Sequence, residues 1–106
     1  MKEDFIKVTS EAYRILDFLP DGDPLKNKAK EKVLAILDCL TLILKDHGWL
    51  SLKDYFSVEM EKAKEGLLRD IEVLENYLSV AKNQGWIDSL NFLIITKEYQ
   101  NIKKPN

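Results

Sequence analysis

Apolar residues recur at spacings of three and four along almost the whole chain, a period that fits helices and not strands. Phe5, Val8, Ala12, Ile15, Leu16 and Leu19 make one such stripe, predicting a helix over about 4–19. Pro20-Asp21-Gly22-Asp23-Pro24 stops it. Asp23 is placed to cap a second helix over about 24–46, and Pro24 suits its first position, where no N–H bond is lost. Leu25, Ala29, Val33, Ile36, Leu37, Leu40 and Leu44 form the second stripe. Gly48-Trp49-Leu50-Ser51 follows, with Gly48 able to take the left-handed stop position and Ser51-x-x-Asp54 resembling a capping box.

A third stripe, Phe56, Met60, Ala63, Leu67, Ile71, Leu74, Leu78 and Ala81, predicts a helix over about 52–84. At about 1.5 Å per residue it would span about 50 Å, against about 24 Å for the first. Either this helix overhangs its neighbours, or it begins later with Ser57 as its cap. Gly66 is a weak point within it. Gly85-Trp86-Ile87-Asp88 repeats the punctuation of Gly48-Trp49-Leu50-Ser51, which reads as two helix stops of similar chemistry. The last helix is expected over 89–103, with Ile87 and Phe92 as a hydrophobic staple around Asp88. Short links favour antiparallel neighbours. The expectation is a single all-α domain over 1–106, an antiparallel up-down four-helix bundle.

Composition excludes several functions. One Cys (Cys39) and one His (His47) cannot build a structural zinc site or an intrachain disulfide. Cys39 reads as a small buried apolar residue, and His47 as a polar group near a helix C-terminus. Glu59, Glu61, Glu65, Asp70, Glu72 and Glu75 flank the third stripe and read as a solvated face. There is no Gly-rich phosphate loop and no pairing of nucleophile with base. No metal, cofactor or enzymatic activity is expected. Met1-Lys2-Glu3-Asp4 is not a signal peptide, and the apolar run Val33–Leu44 is shorter than the roughly 20 residues that span a bilayer. A cytoplasmic protein without a membrane partner is expected.

Two features point toward partners. The second half of helix two is apolar nearly all round, because Leu34, Cys39, Leu42 and Ile43 lie off its stripe. Such a helix needs cover on every side, which predicts a homo-oligomer with these four residues at the interface. In addition, Lys26, Lys28, Lys30 and Lys32 crowd the start of the same helix, where its dipole disfavours cations. The plain reading is that their stems lie over the core edge. The functional reading is a phosphate-backbone contact, with Lys103 and Lys104 contributing. Net charge is −2, from 16 Lys plus Arg against 18 Asp plus Glu, which excludes a coat of nucleic acid held by charge alone.

The stretch from Asp70 to Ile87 carries the pattern Ile71-x-x-Leu74-Glu75-x-x-Leu78-x-x-Ala81-Lys82, closed by Gly85-Trp86-Ile87. It resembles the third helix of the small four-helix-bundle family that includes ribosomal-RNA intervening-sequence proteins and accessory variability proteins of diversity-generating retroelements. Phe18-Leu19-Pro20 is similar to that family's first helix stop. The chain departs from the family in its net acidic charge and in lacking a Ser-Ile-x-x-Asn-Ile-Ala-Glu-Gly type motif. The resemblance implies a homopentamer of four-helix protomers that binds a reverse transcriptase and template RNA and is not itself an enzyme. The alternative is a protein–protein interaction or regulatory module with no nucleic-acid role.

Overall fold

A computed structural model describes the backbone of residues 2–45 and 53–103 and the side chains of 4–43 and 61–103. The described residues form four α-helices and no strand: α1 (Lys2–Leu16), α2 (Pro24–Lys45), α3 (Lys53–Asn83) and α4 (Ser89–Lys103). α1 packs on α2, α2 on α3, α3 on α4, and α4 on α1.

Local chemistry sets the helix ends. α1 stops at Leu16, one turn before the expected Leu19. Phe18 and Leu19 donate instead to the carbonyls three residues back, Ile15 at 3.1 Å and Leu16 at 3.0 Å. Pro20 explains this, because it disfavours helical backbone in the residue before it. Leu19 is nonetheless 2% exposed, so the turn still delivers it to the core. Asp23 caps α2 as expected, accepting from the Leu25 N–H at 2.8 Å. Asp88 caps α4, accepting from the Asn91 N–H at 2.7 Å.

α3 ends in a left-handed glycine. Gly85 has φ +81°. Its N–H donates to the Lys82 carbonyl at 2.9 Å, and the Trp86 N–H reaches back to Ala81 at 3.0 Å. This is the Schellman pattern, which satisfies carbonyls that the end of a helix would leave unpaired.

The backbone is helical without a break from Lys53, so the later start at Ser57 is not found. Thirty-one residues at about 1.5 Å each account for most of the 49 Å long axis. The helix does overhang. Phe92, in the first turn of α4, lies 4.8 Å from the Lys82 ammonium, and Lys103, its last residue, reaches Glu75. α4 therefore lies along only the second half of α3. The Gly48–Ser51 stop, the Asp46 end of helix two, His47 and Lys104 lie outside the described residues.

The core joins all four stripes. Leu16, Val33, Ile36, Ile71, Leu74, Leu78, Ile95 and Tyr99 are its largest fully buried side chains. Each buried aliphatic contributes on the order of 1.5–3 kcal/mol. Phe5, Leu25 and Phe92 pack around this core half-buried.

Candidate functional site

The lysines at the start of α2 do not form an open basic patch. Lys26 pairs with Asp21 at 2.6 Å, and Lys30 pairs with Asp17 at 2.5 Å. Both carboxylates come from the turn between α1 and α2. Lys30 also lies 4.9 Å from the Tyr13 ring centre. Lys32, on the other flank, pairs with Asp70 of α3 at 3.0 Å. The acids supply the anions that cations near a helix N-terminus require. The Lys30 ammonium beside Asp17 holds its carboxyl below the ordinary 3.8, and Lys26 does the same for Asp21. Lys28 is exposed and takes part in no ion pair among the described residues.

Lys103 lies far from these lysines along the sequence and pairs with Glu75 of α3 at 3.4 Å. Asp70 and Glu75 therefore depart from the solvated face expected of the α3 acids. Both are largely covered and each holds a lysine from a neighbouring helix, whereas Glu61, Glu65 and Glu72 are exposed as expected. Glu75 Oε2 and the Tyr99 hydroxyl are buried without hydrogen-bond partners among the described residues.

The expected interface residues on α2 separate into two pairs. Leu34 and Leu42 are 44% and 62% exposed. Cys39 and Ile43 are half-buried and pack against the protomer's own core. Burial raises the Cys39 thiol above its ordinary range, and the nearby Asp70 and Asp38 charges add to this. At neutral pH it stays protonated, the weakly nucleophilic form.

A second apolar surface lies on α4 and was missed from sequence. Ile95, Thr96 and Tyr99 turn inward, while Leu90, Leu93 and Ile94 are 66%, 62% and 45% exposed on the opposite side. The signal was present in the unbroken run Phe92-Leu93-Ile94-Ile95, which is too apolar for a helix with one wet face.

Among the described residues no group of three or more His, Cys, Asp or Glu could hold a metal ion, and no helix is long and apolar enough to cross a membrane. Compared with known proteins, the chain matches no protein-family model, no curated protein and no solved structure.

Proposed function

We propose that the chain is a non-enzymatic interaction module that works as a homo-oligomer, built on an antiparallel up-down four-helix bundle. The Lys32–Asp70 pair, and the matching of Phe92 with Lys82 and Lys103 with Glu75, support opposite directions for successive helices. The observation that carries the functional reading is the exposure of Leu34 and Leu42 on α2. One exposed leucine is ordinary; these two lie two turns apart on the same side of α2, flanking the exposed Asp38, and an amphipathic face of this kind suits a partner helix. A cytoplasmic location belongs to the same proposal.

Light scattering tests the proposal. The expected mass is a multiple of the 12.3 kDa protomer, with five copies implied by the family resemblance. A monomer at every concentration overturns it.

A second reading is an accessory protein that holds a reverse transcriptase and RNA. It is supported by the resemblance along Asp70–Ile87 and by the exposed Lys28, which joins no ion pair among the described residues. Lys26, Lys30 and Lys32 are poor probes, because reversing them breaks ion pairs within the fold. Lys28→Glu is the clean variant. RNA binding that falls steeply with salt and weakens in this variant supports the reading. Binding that Lys28→Glu leaves unchanged removes that lysine from it.

A further inference from the structure

α2 and α4 each pack on both α1 and α3. They therefore sit across the bundle from each other, and their outer faces point away on opposite sides of the protomer. Both faces are apolar. On α4, Leu90, Leu93 and Ile94 stand outward; on α2, Leu34 and Leu42 do so.

The charges that accompany them are opposite. Lys97 lies on the exposed side of α4, one turn beyond Leu93 and Ile94. Asp38 is exposed on α2, one turn from Leu34 and one turn from Leu42. Among the described residues neither Lys97 nor Asp38 takes part in an ion pair. The spacings match as well. With Lys97 opposite Asp38, Leu93 and Ile94 fall against Leu34 or Leu42, whichever way the two helices run. Two copies of the α2 face, paired with Leu34 against Leu42, would oppose aspartate to aspartate, whereas the α4–α2 pairing sets lysine against aspartate.

We propose that the outer face of α4 docks on the outer face of α2 of a second copy of this chain. The contact is head-to-tail, so each protomer uses one face to give and the other to receive, and assembly grows past two chains. This inference rests on the proposed self-assembly and assigns its second surface.

The test uses two single variants of the full chain, Leu42→Glu on α2 and Leu93→Glu on α4. Both sites are exposed, so helical circular dichroism should match the wild type; Leu42→Ser and Leu93→Ser replace either variant that loses helix. Each variant alone should run as a 12.3 kDa monomer in light scattering. An equimolar mixture should form a species of twice that mass and nothing larger, because one intact face of each kind remains. Lys97→Glu should raise the concentration for half-assembly about tenfold, and Asp38→Lys in the same chain should restore it. An assembling wild type whose mixed variants stay monomeric, or whose single variants still pair with themselves, overturns the α4–α2 contact alone. A wild type that is monomeric throughout overturns the self-assembly reading as well.

Discussion

Lys32 on α2 and Asp70 on α3, 38 residues apart in the chain, pair at 3.0 Å across the α2–α3 contact. Both side chains are partly covered, at 34% and 19% exposure, so solvent screens the pair less than it would an open one. Asp70→Asn is expected to lower stability by about 1 kcal/mol, read as a lower urea midpoint. A double-mutant cycle with Lys32→Met should recover most of that loss as coupling.

Tyr99 presents the reverse case, a buried hydroxyl without a partner among the described residues. Tyr99→Phe keeps the ring and removes the orphaned group, so it should leave stability unchanged or raise it by up to about 1 kcal/mol. The pH dependence follows from the same burial, which pushes the phenol far above its ordinary 10. Below that value folded and unfolded chains both keep the proton. Above it the unfolded chain ionises first, so this contribution fades as pH rises past 10. The decline measured by alkaline denaturation should be smaller in Tyr99→Phe.

The turn between α1 and α2 should loosen in acid. Lys30 and Lys26 hold the Asp17 and Asp21 carboxyls below 3.8 in the folded chain. Their contribution is present above that value and is lost as pH falls through the lowered folded range. Equilibrium unfolding from pH 6 down to pH 2 should therefore fall less steeply in Asp17→Asn/Asp21→Asn.

Two glycines should respond with opposite sign. A Cβ at Gly66 meets no atom within 4 Å, so Gly66→Ala should stabilise α3 by up to about 1 kcal/mol through helix propensity. Gly85 is equally unobstructed but holds φ +81°. Gly85→Ala should destabilise by about 1 kcal/mol through backbone strain alone. Thermal melts of the two variants, compared with the wild type, check both signs.

Leu40 and Leu42 are two residues apart on α2, yet Leu40 is 6% exposed and Leu42 62%. Leu40→Glu should unfold the protomer, because its carboxylate would be buried unpaired. Leu42→Glu should keep the wild-type helical signal in circular dichroism.

Sequence revealed most where the controlling chemistry was local. The caps Asp23 and Asp88 and the glycine stop at Gly85 each act within a few residues, and the stripes through Val33, Ile71 and Leu74 follow from period alone. The lysine cluster was harder, because its anions come from a turn and from another helix. Asp17 and Asp21 stood nearby in sequence, but their reach to Lys30 and Lys26 depends on how α1 folds back on α2. Asp70 and Glu75 looked solvated for the same reason, since their partners arrive from α2 and α4. The outer face of α4 was hidden by excess: a run apolar on every side does not say which side turns in.

The Gly85 stop and the Asp88 cap together fix how α4 enters, including its rotation about its own axis. Leu90, Leu93 and Ile94 are thus held facing outward before anything touches them. A surface carried on a floppy tail would lose conformational freedom on each encounter, whereas this one has lost that freedom already during folding. The short turn thereby acts at a distance, and in the proposed assembly part of the protomer's folding energy would serve association.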